Sequence, residues 1–257
     1  MDGTLVFIHI PRTGGTSLRA ALERQFSAEE SLFVYPRQPW AVSRRDVPGL
    51  DDEAKQKIRL VYGHAPFGLH RDLPGRCRYL AVLRDPIDRV VSNYYAQMEA
   101  GRKRRNRGRP IETPLEQAAA EGDLTLLDYV RGVAPNPPWN LMTRWIAGTR
   151  PGRLKTPGDF RDPALLERAK ANIERHFLAV GLTEHLDGFL TLLSRHLGWE
   201  ETELGRVNPN PKRRSVDDLD AEVVVEIAEH NTLDRALYDH VLTATNGGER
   251  LYPTGTT

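Results

Sequence analysis

The stretch Thr4-Leu5-Val6-Phe7-Ile8-His9-Ile10-Pro11-Arg12-Thr13-Gly14-Gly15-Thr16-Ser17-Leu18 decides the fold. Its first five residues are a short apolar run with β-branched and aromatic members, the pattern of a strand buried in a parallel sheet. Beyond the glycine pair, Leu18, Leu22 and Phe26 fall at helical spacing, with Arg19, Glu23 and Arg24 among the intervening positions. A strand therefore runs into a helix, whose unpaired N–H groups and positive dipole end face whatever lies above the sheet edge. Gly14 and Gly15 let backbone amides approach an anion closely, while Thr13, Thr16 and Ser17 add hydroxyls and Arg12 a fixed charge. An anion of phosphate type suits such a loop.

A second segment repeats the plan. Tyr79 to Leu83 is another buried-strand run, followed by Arg84-Asp85-Pro86-Ile87-Asp88-Arg89-Val90-Val91-Ser92-Asn93-Tyr94-Tyr95. Asp85 suits an N-cap and Pro86 a first helical position, so this strand also enters a helix directly. Arg84 then sits at the strand's carboxyl end and Ser92 two turns along the helix. Together they offer a basic fork and a hydroxyl to a second phosphate beside the first.

The pair HIPRTGGTS and LRDPIDRVVSNYY resembles the two nucleotide signatures of sulfotransferases that use 3′-phosphoadenosine 5′-phosphosulfate (PAPS), in the carbohydrate branch similar to heparan sulfate 2-O-sulfotransferase. Further matches are Val61-Tyr62-Gly63-His64-Ala65-Pro66-Phe67, like the Gly-His segment that carries the family's base, and the stretches 140–145 and 180–184. The resemblance runs from the first strand to about Leu242. It implies an α/β, P-loop-like, three-layer fold with a central parallel sheet flanked by helices. It also implies that Arg12, Thr13, Gly14, Gly15, Thr16 and Ser17 wrap the 5′-phosphosulfate, that Arg84 and Ser92 hold the 3′-phosphate, and that His64 is the catalytic base. A late basic loop at 206–214, with Asn208, Lys212 and Arg213, is expected as a lid over the nucleotide.

The family usually has lysine where this chain has Arg12. Lysine can hydrogen-bond the bridging oxygen and donate a proton to the leaving phosphate; arginine, with a pKa above about 12, acts as a permanent charge clamp. Arg12 is thus assigned electrostatic catalysis. Neutral imidazole suits proton abstraction near neutral pH, which favours His64. His9, at the end of a buried strand, reads as structural, and His70 as an alternative for substrate contact.

Length and composition fit one enzyme domain spanning 1–257. Net charge is only +1, yet Gly101 to Pro110 holds six basic residues, leaving 30 basic against 35 acidic elsewhere, a net of −5. This tract is read as a solvated basic loop. One cysteine, Cys77, cannot form an intrachain disulfide and should open the Tyr79 strand as a small core residue. No run approaches the roughly 18 apolar residues of a membrane span, and strand-like sequence starts near Met1 without a leader. That composition favours the cytoplasm, and because the family's eukaryotic carbohydrate members are usually membrane-anchored Golgi proteins with disulfides, the resemblance implies a soluble bacterial member.

Scattered histidines and the lone cysteine give no metal-ligand pattern, and the expected chemistry requires none. The expected partner is a hydroxyl-bearing acceptor such as a carbohydrate, with no stable nucleic-acid partner. Two other readings stand beside this one. A P-loop kinase would need lysine before Thr16 or Ser17 at G-x-x-x-x-G-K-[ST] spacing, which is missing. A non-catalytic nucleotide- or polyanion-binding protein would draw on Arg12 and the basic tract.

Elsewhere, 27–57 reads as loops and short helices, broken by Pro36, Pro39, Pro48 and Gly49, before a strand at Arg59-Leu60-Val61-Tyr62. Helices should start at Thr113-Pro114 and at Asp162-Pro163, the latter with Leu165, Leu166, Ala169 and Ile173 inward. A strand is expected at 177–182 and a helix from His185 to Leu197. One long helix should run from the Ser215 cap to about Val241.

Overall fold

The computed structural model describes residues 3–36, 38–111, 114–132, 137–149, 154, 156–199 and 215–252. Five strands, β1 (Thr4–Ile8), β2 (Ser31–Val34), β3 (Leu60–Gly63), β4 (Cys77–Leu83) and β5 (Phe177–Leu182), form one parallel sheet in the order β2-β3-β1-β4-β5. The helices are α1 (Gly15–Glu23), α2 (Asp52–Lys57), α3 (Pro86–Asn106), α4 (Pro114–Glu121), α5 (Leu126–Arg131), α6 (Leu141–Ile146), α7 (Ala164–His176), α8 (Leu186–Leu197), α9 (Ala221–His230) and α10 (Thr232–Ala244).

Alternation along β1 explains the layers. Leu5 and Phe7 point to one face and pack with Leu18 and Leu22 of α1 and Phe189, Leu190 and Leu193 of α8. Val6 and Ile8 point to the other and join Met142 and Ile146 of α6, Leu165, Ala169 and Ile173 of α7, and Leu237 and Val241 of α10. The fold is therefore three-layered α/β with the sheet buried on both sides, which is why β1, β4 and β5 are nearly all apolar. A separate cluster joins α3, α4, α5 and α9 through Val90, Val91, Met98, Ala119, Tyr129, Val130 and Ile227.

Because β1 is followed on one side by β3 and on the other by β4, the chain reverses its direction of travel across the sheet there. Connections leaving the carboxyl ends of β1 and β4 diverge, and the crevice between them is where ligands bind in such sheets.

Three expectations are corrected. Residues 27–57 contain a strand, β2, paired to β3 from Ser31↔Leu60 to Val34↔Gly63. The basic tract is not a loop from Gly101: α3 continues through Asn106. Gly101 lies where α3 crosses α4, and a Cβ there would meet the Ala119 side chain at 2.8 Å, so the glycine serves close helix packing. The expected long final helix is two, α9 and α10, divided at Asn231, whose φ of −125° leaves the helical region. The division has a cause in the side chain of Asn140, which accepts from the amides of Leu233 and Asp234 and so caps a new helix start. Asp234 returns the favour by accepting from Met142 and Thr143 at the start of α6.

Candidate active site

The loop after β1 is built around Gly14 (φ 80°) and the unusual left-handed Arg12 (φ 72°). Thr13 is fully buried and its hydroxyl donates to the Ile10 carbonyl at 3.0 Å, closing the turn from inside. The N-cap of α1 is Gly14, with no side-chain cap, and the amides of Gly15 and Thr16 donate to no described residue. This is an open helix N-terminus, with donors and dipole free for an anion.

Gly15 has a further constraint. A Cβ there would lie 2.0 Å from the His9 ring, which packs directly beneath α1. His9 Nδ1 lies 2.8 Å from the Tyr35 hydroxyl and 2.7 Å from that of Tyr62, which also donates to the Gly15 carbonyl at 3.0 Å. Burial, with His64, Arg19 and Arg12 nearby, lowers the His9 pKa to about 3, so it is a neutral prop under the loop.

The second segment arrives beside the first. Asp85 caps α3 by accepting from Ile87 and Asp88, and Pro86 occupies the first turn. Arg84 donates to Asp88 through Nε (2.9 Å) and Nη2 (2.6 Å), and through Nη1 to the Arg12 carbonyl at 3.0 Å. Arg12 Nε donates to the buried Ser92 hydroxyl at 3.0 Å. Arg12, Arg84 and Ser92, up to 80 residues apart in sequence, thus meet at one point. Burial first, then the Arg84 charge, lowers the Arg12 pKa; burial lowers that of Arg84, opposed by Glu184 and Asp85. Two guanidiniums thus lie together beside the open N-terminus of α1, that of Arg84 paired with Asp88.

His64 follows β3 at the same edge. Its amide donates to the Val34 carbonyl at 2.8 Å, and the preceding Gly63 is required by that close approach, since a Cβ would lie 1.9 Å from the same oxygen. Gly63→Ala is expected to force β2 and β3 apart and cost about 2 kcal/mol or more of stability, read from urea unfolding midpoints; an unchanged midpoint contradicts this packing. The His64 ring is flanked by Tyr35 (centroids 4.6 Å apart), His9 (4.8 Å) and Trp145 (5.9 Å). No described side chain hydrogen-bonds it. Burial lowers its pKa to about 4, so it is neutral at physiological pH with a nitrogen able to accept a proton.

These two depressed histidines carry a stability consequence. Their folded pKa values lie below the unfolded value of 6.5, so the stabilisation is complete above that pH and is lost as pH falls toward 4 and then 3. Chemical unfolding at descending pH should show stability falling from about pH 6.5, and His9→Gln should flatten the slope; a flat wild-type profile between pH 7 and 4 contradicts it.

His70 belongs elsewhere. It bonds the Tyr79 hydroxyl and stacks on His176, the residue before β5, which places it toward the amino ends of the strands. Asn208, Lys212, Arg213 and the expected lid at 206–214 lie outside the described residues. Thr183 and Glu184 of the 180–184 stretch, with Arg235 and Tyr238, for which the sequence carried no signal, hold the site from behind. Glu184 accepts from the Asp85 amide and the Tyr238 hydroxyl, Arg235 pairs with Asp85 at 2.5 Å, and Thr183 donates to the Leu83 carbonyl. The stretches 140–145 and 180–184 thus position the binding edge: the first by the Asn140–Asp234 exchange of caps, the second through Thr183 and Glu184. Among the described residues no group of three or more His, Cys, Asp or Glu suits a metal ion, and no helix is long and apolar enough to cross a membrane.

No family model matches the chain. Over 148 residues, 56% of this chain, it is 29% identical to uronyl 2-sulfotransferase of Homo sapiens, and equally so to that of Mus musculus. The matched segment spans 35% of those relatives' own length. The chain is therefore similar in sequence to carbohydrate sulfotransferases, and its parallel sheet brings a cationic, amide-lined loop and a neutral histidine to one edge.

Proposed function

We propose that this protein is a sulfotransferase that moves a sulfuryl group from PAPS to a hydroxyl of a carbohydrate, with a uronic-acid-containing glycan as the class of acceptor. The observation that carries this reading is the convergence of Arg12, Arg84 and Ser92 on the open N-terminus of α1, at the sheet edge that also presents His64.

The residues fit a nucleotide with two separated anionic groups. The amides of Gly15 and Thr16, the hydroxyls of Thr16 and Ser17 and the Arg12 guanidinium suit the 5′ end, with Gly14 and Thr13 shaping the loop; Arg84 and the Ser92 hydroxyl suit the 3′-phosphate. PAPS supplies a sulfuryl group activated by its bisphosphate leaving group. His64 takes the proton of the acceptor hydroxyl, whose oxygen forms the new bond to sulfur as the bridging bond to the 5′-phosphate breaks. Arg12 neutralises the charge that develops on that bridge. Asn208, Lys212 and Arg213 are assigned to nucleotide binding, and the reaction as drawn uses no metal.

A thermal-shift panel tests this reading. Adenosine 3′,5′-bisphosphate should raise the melting temperature without magnesium, and ATP with magnesium and heparin should do so less; the reverse order would favour a kinase or a polyanion-binding protein. Within the site, Arg84→Ala or Ser92→Ala should weaken the bisphosphate by about 1.5–3 kcal/mol, the worth of a hydrogen bond to a charged group. An analogue lacking the 3′-phosphate should lose less, and equal calorimetric losses for both ligands would remove these residues from the 3′-phosphate site.

A further inference from the structure

Most large apolar side chains of the described residues are packed away, but Trp40 is 51% exposed, and Val225 is the other large exposed hydrophobic. Trp40 is not on a loose loop. Its segment is tied to the sheet by Tyr35 donating to Val42, Val42 donating to Phe33, and the Val34↔Val42 bridge. Its ring lies 5.3 Å from Tyr35 and 6.1 Å from Phe33, and the Arg19 guanidinium, itself paired with Glu23, sits over it at 5.2 Å. An indole held in one pose with half its surface in water is preorganised to stack on a ligand.

Tyr35 contacts both Trp40 and His64, with centroid separations of 5.3 and 4.6 Å, so the indole lies within two ring contacts of the imidazole. We infer that Trp40 is the stacking platform for the acceptor, binding the apolar C–H face of a pyranose ring so that a hydroxyl of that ring or its neighbour reaches His64. This rests on the sulfotransferase reading given above. A saccharide is favoured over a planar aryl acceptor because the platform is open: a sugar buries one face and keeps its remaining hydroxyls hydrated, whereas a flat aromatic gains most from enclosure on both faces.

Two measurements test it separately from the parent reading. The first is steady-state transfer to a hexasaccharide of alternating glucuronate and N-acetylhexosamine. Trp40→Ala should raise KM for the saccharide about tenfold while leaving kcat and bisphosphate affinity near wild type, with Trp40→Phe recovering part of the loss. The second needs no transfer: the same hexasaccharide, without nucleotide, should change the intrinsic tryptophan fluorescence of the wild type, and most of the change should be lost in Trp40→Phe, with Trp145 beside His64 supplying the remainder. A wild-type KM in Trp40→Ala, a fluorescence response undiminished in Trp40→Phe, no saccharide response in the wild type, or tighter binding of a naphthol than of the saccharide would each overturn the inference. Absence of all transfer with a Trp40-dependent fluorescence response would overturn the sulfotransferase reading and leave Trp40 as a saccharide site.

Discussion

His64→Ala is expected to reduce turnover by about 10² to 10⁴ while leaving bisphosphate affinity nearly unchanged, because a positioned general base contributes that much to the chemical step and little to nucleotide binding. The ring stands in an aromatic niche with Tyr35, His9 and Trp145 and takes part in none of the Arg12–Arg84–Ser92 hydrogen bonds, so its removal breaks no bond of that cluster. Its pKa, lowered to about 4, also fixes the pH profile. The base is active when neutral, so the acid limb of kcat/KM should fall near pH 4 to 5 rather than near the ordinary histidine value of about 6.5. Near-normal turnover in a folded alanine variant would remove His64 from catalysis and direct attention to His9.

Arg12→Ala should cost on the order of 3 kcal/mol in transition-state stabilisation, comparable with loss of one oxyanion donor. Arg12→Lys separates charge from proton donation. The guanidinium already bonds Ser92 through Nε and the backbone there is left-handed, so the site is fitted to a planar fork. Lysine is therefore expected to be neutral or worse. Single-turnover transfer at saturating PAPS distinguishes the cases: faster chemistry in Arg12→Lys would make leaving-group protonation limiting, and undiminished chemistry in Arg12→Ala would reduce Arg12 to a turn residue.

The parts legible in the sequence were those where one local pattern has one outcome. Thr4 to Ile8 and Phe177 to Leu182 are mainly apolar runs of strand length, and both strands have the expected bounds. Asp85-Pro86 announces a helix start by chemistry alone, and the caps are present. Failures came where a distant partner decides. Ser31 to Val34 is short and only half-buried at the sheet edge, so its strand character rests on pairing with β3. Gly101 reads as a breaker unless Ala119 is known to lie against it. Asn231 reads as mid-helix unless the cap from Asn140 is known to start a second helix beside it.

The candidate site divides in the same way. Residue types and spacing placed Arg12, Arg84 and Ser92 after the ends of two strands, and the family resemblance singled out His64; the structure brings Arg12, Arg84 and Ser92 into mutual contact. Those patterns could not indicate that Arg12 adopts a left-handed backbone or that His9 props Gly15. Nor could they show that Tyr35 and Trp145 wall the His64 ring, since those contacts are set by the pairing of β2 with β3 and by the packing of α6 rather than by any neighbour in sequence.

Transfer of radiolabelled sulfuryl from PAPS to a uronate-containing glycan, run in parallel with wild type and His64→Ala, is the decisive measurement. Wild type should label the glycan with no requirement for added divalent metal, and the variant should lose nearly all of that label. A wild-type protein that binds the bisphosphate tightly yet leaves glycan acceptors unlabelled would contradict the sulfotransferase reading.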